Sequence, residues 1–232
     1  MADDERHMTP THHLFFSAAL AHIRQDIAAY INHMSYQRIV DIGCGTGAQL
    51  ALLYGPSRDL YGLDQSLNMI EQAQKTLPET VELHHLDGRE TPFSEKFFDC
   101  SILSLTLHDK HPADIELLFA NTIRMTKDTG AIIIVDLGTF TIAPMSALAG
   151  KIIIPLIERR AGKRHYQNYT RWMRAGGLQS FLTRTGLRVD IISTRLFQTL
   201  LCCTINLNLA ENQRKNSFEL FNKTLSNTYE PP

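Results

Sequence analysis

Asp41, Asp64, Asp87 and His108 recur along the first half of a 232-residue chain, and each is of a type that does chemistry. An ionised carboxylate only accepts hydrogen bonds, so it suits diols, amines and ammonium groups, all of which donate. An imidazole with an unperturbed pKa of about 6.5 can take a proton from a hydroxyl, thiol or amine at physiological pH. Asp109, next in sequence, can orient either the group that loses that proton or the histidine itself. Taken singly, each carboxylate can equally cap a helix, Asp64 being the clearest case because a helical pattern comes directly after it.

Asp41 leads straight into a glycine loop. A β-branched run, Arg38-Ile39-Val40-Asp41-Ile42, passes without a linker into Gly43-Cys44-Gly45-Thr46-Gly47 and then a helical pattern. That order predicts a strand, a phosphate-loop-like turn and a helix. Glycines at alternate positions let the backbone turn sharply and let a ligand lie against main chain. Gly43, Gly45 and Ala48 also satisfy the dinucleotide fingerprint, with Asp64 about twenty residues on. On the glycines alone, a nicotinamide-linked oxidoreductase therefore remains open.

The residues around and beyond the loop favour another cofactor. Val40-Asp41-Ile42-Gly43-Cys44-Gly45-Thr46-Gly47 resembles the first motif of the class I S-adenosylmethionine (SAM) methyltransferases, an acidic residue followed by G-x-G-x-G. Asp64-Gln65-Ser66 with Met69, Glu71 and Ala73 resembles that family's second motif, and Leu86-Asp87-Gly88 its third. The run from Ser101 through Ser104, Leu107 and His108 to Pro112 resembles the fourth. The similarity runs from about Arg38 to Gly138 and continues to about residue 209.

The resemblance implies SAM as cofactor, held by Asp41, Gly43, Cys44, Gly45, Gly47, Asp64, Gln65, Met69, Asp87, Gly88 and Ser104. The glycine loop would meet its amino acid end, with Asp41 orienting the loop or accepting from the ammonium group. Asp64 would take the ribose diol, Asp87 with the Gly88 backbone the adenine amine, and Met69 the adenine face. His108 and Asp109 would then sit beside the methyl acceptor as the catalytic pair.

These residues must be positioned by a regular frame. Strand patterns near 38–42, 59–63, 81–86, 98–105 and 131–137 alternate with helical ones near 47–54, 66–77 and 113–126, which predicts a parallel α/β sheet. In such a sheet ligands bind beyond the carboxyl ends of the strands, where Asp41, Asp64, Asp87 and His108 all fall. A helix through Trp172 to Thr185, interrupted at Gly176-Gly177, leads to strand-like runs at 187–197 and 199–209 whose short connection predicts an antiparallel hairpin. With the resemblance, the expected fold is a doubly wound, seven-stranded sheet, mostly parallel with a C-terminal antiparallel strand, a Rossmann-like methyltransferase fold. One domain is expected over residues 1–232.

Two additions stand out. Phe16, Leu20, Ile23, Ile27, Ile31 and Met34 recur at helical intervals, so 13–35 reads as an N-terminal helix that packs on the sheet or covers the cofactor crevice. After Gly138 the rhythm breaks: 140–174 joins a small, apolar run to Arg159, Arg160, Lys163, Arg164, Arg171 and Arg174 against Glu158. We read it as a substrate-side insertion or lid, with Tyr166, Tyr169, Arg171, Trp172 and Arg174 as acceptor contacts, although aromatic residues at that spacing also suit a core stripe.

Composition bounds the partners. With 23 basic and 24 acidic residues no global field recruits nucleic acid, while the basic stretch leaves peripheral membrane contact open. Four cysteines, none in C-x-x-C spacing, read as buried thiols, and His84-His85 alternate across a strand, so no metal site is expected. There is no signal-peptide pattern and no apolar run of spanning length, so a cytoplasmic location is expected. The expectation is methyl transfer to a small-molecule acceptor, apolar or anionic, at O, N, S or C. An RNA or protein methyltransferase and a non-catalytic SAM-binding regulator are the alternatives; no Asn/Asp-Pro-Pro-Tyr run is present.

Overall fold

The computed structural model describes residues 10–138, 154–156, 158–160, 162–195 and 199–207, with side chains from Leu20 onward. The apolar run before Ile154 and the tail beyond 207 lie outside the described residues. The chain forms α1 (Pro10–Met34), β1 (Arg38–Ile42), α2 (Ala48–Leu53), β2 (Asp59–Asp64), α3 (Leu67–Thr76) and β3 (Glu82–His85). It continues with β4 (Phe98–Ser104), α4 (Pro112–Met125), β5 (Thr126–Leu137), α5 (Lys163–Arg174), α6 (Gly177–Thr185), β6 (Val189–Arg195) and β7 (Leu200–Asn206).

One seven-stranded sheet has the order β3-β2-β1-β4-β5-β7-β6. β7 pairs antiparallel with β5 on one side and β6 on the other, while the pairs from β3 through β5 are parallel. The fold is thus the expected one. Strand order reverses between β1 and β4, so the crevice beyond their carboxyl ends is the topological switch point.

Alternation within the strands builds a core on each face. Ile39, Ile102 and Ile133 pack with Ile23, Ile27 and Ile31 of α1, Leu50 of α2 and Ile70 of α3. Val40, Leu103 and Ile134 pack instead with Leu118 and Phe119 of α4 and Leu178 and Phe181 of α6. Burial of each large side chain contributes about 1.5–3 kcal/mol, which clamps the strand ends on which the site is mounted. α5 spans the two faces, since Tyr169 belongs to the first cluster and Trp172 to the second. All four cysteines are buried and free. Among the described residues, no helix is long and apolar enough to cross a membrane.

Candidate active site

After Ile42 the chain must turn at once to enter α2. Gly43 does this at φ 77°, and a Cβ there would lie 2.8 Å from Thr106 Oγ1, so a side chain would be both strained and crowded. Gly45, at φ 54°, has nothing within 4 Å of where its Cβ would stand and borders a cavity of about 350 Å³. Its main chain is therefore the wall of an open volume. Asp64, at the end of β2, holds this loop: Oδ2 accepts the Gly45 N–H and Oδ1 the Ser66 N–H, each at 2.9 Å. The second bond orders the entry to α3, and each oxygen keeps a further lone pair for a ligand.

Asp41 is 2% exposed, and its Oδ1 has no hydrogen-bond partner although it borders the cavity. Burial is the main force raising its pKa to about 7; Arg24 opposes the rise and Asp64 adds to it. A buried, unpartnered carboxylate oxygen in a cavity wall fits an ammonium group. Arg24 and Leu20 of α1 line the same cavity. The N-terminal helix packs through Ile23, Ile27 and Ile31 and also gives the cavity part of its wall. Cys44, Met69 and Ser104 also line the cavity. Burial, then the charges of Asp41 and Asp64, push the Cys44 thiol far above its ordinary range, so it is unreactive.

Gly47, Asp64, Gln65, Asp87 and Gly88 do not line this cavity, although Asp64 reaches its wall through Gly45. The Asp87 carboxylate is engaged by Arg89, with Nη2 at 2.7 Å and Nε at 3.0 Å. Burial would raise the Asp87 pKa, but the bonds and charge of Arg89 prevail and hold it below the usual carboxylate range. The sequence left this carboxylate open for an amine, whereas the fold commits it to a neighbour two residues on. Gly88 is packed against Ile42 and Leu118, and the Gln65 side chain is exposed while its carbonyl meets His85 Nε2 at 2.9 Å.

At the other end of the cavity β4 runs out through Leu105, a non-glycine residue at φ 53° whose N–H is held by the Val135 carbonyl at 2.7 Å. Asp136 supports the turn beyond it. Wholly buried in β5, it accepts the Leu107 and His108 N–H groups at 2.9 and 3.3 Å, the Leu137 N–H at 2.7 Å and His108 Nδ1 at 2.7 Å. The ring is thereby locked with Nε2 toward Glu158, whose Oε2 is 3.7 Å away. Glu158 in turn bonds His165 Nε2, and His165 Nδ1 lies 4.0 Å from Asp109 Oδ2. Burial would lower the His108 pKa, but Asp136 first, then Glu158 and Asp109, outweigh it and push it up to about 10. The carboxylates around the ring therefore favour its protonated form. Asp109 stands behind His165 rather than His108, and its carbonyl accepts from Asn168 at 2.6 Å.

The five residues expected to meet the acceptor lie elsewhere. Tyr166 and Tyr169 pack on the core, Trp172 donates its indole N–H to the Leu137 carbonyl at 2.8 Å, and Arg171 and Arg174 are exposed. The aromatic spacing on α5 is a core stripe, and Arg171 and Arg174 on the opposite side face water. Its contribution to the cavity is His165, which carries no pattern in the sequence. Asp136 and Glu158 were also missed, yet each had a signal: an acid inside an apolar strand, and an acid alone among basic residues.

Comparison with known proteins agrees with this geometry. Residues 40–134 match the family model described as a methyltransferase domain. A demethylmenaquinone methyltransferase from Geobacillus sp. is 26% identical over 160 residues, covering 65% of this chain and 67% of that protein. An uncharacterized methyltransferase from Synechocystis sp. is 29% identical over 101 residues, 44% of this chain and 47% of its own length. The chain thus spans between about half and two thirds of these relatives. In fold it is similar to the plantazolicin methyltransferase determined with a desmethyl plantazolicin analogue and S-adenosylhomocysteine (SAH), with a TM-score of 0.54 and 18% identity over 80% of this chain and 83% of that one. The methyltransferase-domain match over residues 40–134, the sheet order and the glycine loop together support a class I SAM-dependent methyltransferase. SAM is the cofactor of that class, and the unpartnered Asp41 oxygen and open Gly45 wall fit it.

Proposed function

We propose that the chain transfers a methyl group from SAM to a small-molecule acceptor whose reacting atom meets His108. The observation that carries this reading is a single cavity bounded at one end by Asp41 and Gly45 and at the other by His108, Glu158 and His165. SAM supplies an electrophilic sulfonium methyl, so the protein's task is alignment and exclusion of water. Asp41 accepts the ammonium group, the Gly45 main chain lies beneath the amino acid end, Asp64 takes ribose hydroxyls, and Met69 packs on the base. Asp136 holds the His108 ring so that Nε2 addresses the acceptor, and Leu20 and Leu105 give that acceptor an apolar wall. The polar chemistry at this end suits a hydroxyl or thiol acceptor with an apolar body.

The segment bearing Glu158 and His165 covers the acceptor, because both residues line the cavity from beyond the break in βα rhythm. Hydrogen exchange tests the cover: protection over 158–174 should rise with acceptor plus SAH more than with SAH alone. For the reaction, calorimetry should rank SAH well above NAD, and labelled SAM should transfer its methyl to members of a hydroxyl and thiol library. NAD binding more tightly than SAH would overturn the reading.

A further inference from the structure

His108 follows β4, Glu158 precedes α5 and His165 lies in its first turn, yet His108 Nε2, Glu158 Oε2 and a ring nitrogen of His165 all lie within 4.8 Å of one another. We infer that these three side chains form a binding site for a divalent transition-metal ion, zinc by donor type, with its open position facing the acceptor cavity.

Four observations support the site. The donors are two imidazoles and one carboxylate, the composition of zinc centres that keep a position free for water or substrate, whereas magnesium and calcium prefer oxygen alone. The spacing is near what is needed: ligands at 2.0–2.2 Å in a tetrahedral shell stand about 3.3 Å apart. Glu158 Oε2 is 3.7 Å from His108 Nε2 and already in contact with His165 Nε2. The His108 ring is backed by a carboxylate at its other nitrogen, Asp136 at 2.7 Å from Nδ1. Such an outer hydrogen bond is the arrangement that orients a histidine on a metal. Finally, the three donor residues all line the cavity.

The inference rests on the methyl-transfer reading only for what occupies the open position, an acceptor hydroxyl or thiol. On binding, the acceptor's O–H or S–H bond breaks and the proton leaves to solvent. The electron pair stays on oxygen or sulfur for attack on the methyl carbon, and nothing is oxidised or reduced.

The test uses full-length protein treated with chelator and titrated with Co²⁺ and then Zn²⁺. One Co²⁺ per chain should bind with the visible absorption of a low-coordinate site and be displaced by Zn²⁺. Glu158→Gln and His165→Ala should each weaken cation binding by about 10- to 100-fold or more, while SAH affinity stays within about threefold. A variant with His7, His12 and His13 all changed to Gln should keep the signal, which removes the N-terminal histidines as its source. Absence of the absorption in wild-type protein that binds SAH, or a signal equally strong in His165→Ala and Glu158→Gln, would overturn the site. Loss of SAH binding in wild type alongside intact cobalt binding would instead strike the methyltransferase reading alone.

Discussion

Asp41→Asn should make the ligand-free protein more stable and its cofactor site worse. The carboxyl has a pKa of about 7 in the fold against an ordinary 3.8. An acid whose pKa is higher folded than unfolded takes up a proton on folding, so its contribution is fully present below about pH 4 and lost as pH rises through 7. At 1.36 kcal/mol per pH unit, ionised Asp41 costs the fold about 4 kcal/mol above pH 7. Asparagine keeps the shape without the charge, but it leaves half-buried Arg24 without its facing anion, so the net gain at pH 8 should be about 2–4 kcal/mol. For a chain of this length that is a rise of roughly 5–15 °C in Tm. At pH 5, where the wild-type carboxyl is already protonated in the fold, the gain should shrink to about a third. SAH should respond oppositely: losing the carboxylate facing its ammonium costs about 1.5–3 kcal/mol, on the order of 10- to 150-fold in Kd. Wild-type affinity should itself fall as pH drops below 7, because the proton competes with the ammonium group. Thermal unfolding at pH 5 and 8 with and without SAH reads all four quantities. An Asn variant that melts at or below wild type at pH 8, or that binds SAH unchanged, would refute the assignment.

Asp64→Ala removes the acceptor for the Gly45 and Ser66 N–H groups together with that proposed for the ribose, so SAH affinity should fall by about 1.5–3 kcal/mol in calorimetry. An unchanged Kd would reduce Asp64 to loop support. Asp136→Ala strands three backbone N–H groups and an imidazole in the core; at about 1 kcal/mol or more each, thermal unfolding should show a Tm lower by roughly 6 °C or more. A Tm within a degree of wild type would show that water takes over those bonds. His108→Ala should leave SAH binding nearly intact in calorimetry while labelled-methyl transfer falls by about 10²- to 10⁴-fold, and full turnover would return His108 to a purely structural role.

The cofactor half of the site was legible because its determinants are local. Asp41, Gly43, Gly45 and Asp64 sit on strand ends whose alternation and glycine punctuation are written in consecutive residues. The acceptor half depends on packing between distant segments. Glu158 and His165 meet His108 only because α5 lays Tyr169 and Trp172 onto the two cores, and nothing in residue spacing encodes that landing. Aromatic residues at helical intervals describe a contact surface and a buried face equally well, and on α5 Tyr169 and Trp172 are buried. Protonation was illegible for a related reason. The charge on His108 is set by Asp136, Glu158 and Asp109, which are adjacent in space but, apart from Asp109, remote along the chain.

The reversed strand β7 has a consequence for how the chain is made. β5 finds one neighbour, β4, among residues already synthesised, but its other edge pairs with Leu200–Asn206, so Asp136 meets Leu201 only once those later residues have been made. Until then Ile132, Ile133, Ile134 and Val135 stand along an open β edge, a template for any passing strand. A ribosome stalled after residue 195 would release a product with its glycine loop already encoded and its acceptor support unanchored. That product should accumulate in the insoluble fraction on expression, where the chain carried through residue 207 should not. In the cell, β7 decides whether β5 becomes the centre of an enzyme or the seed of an aggregate.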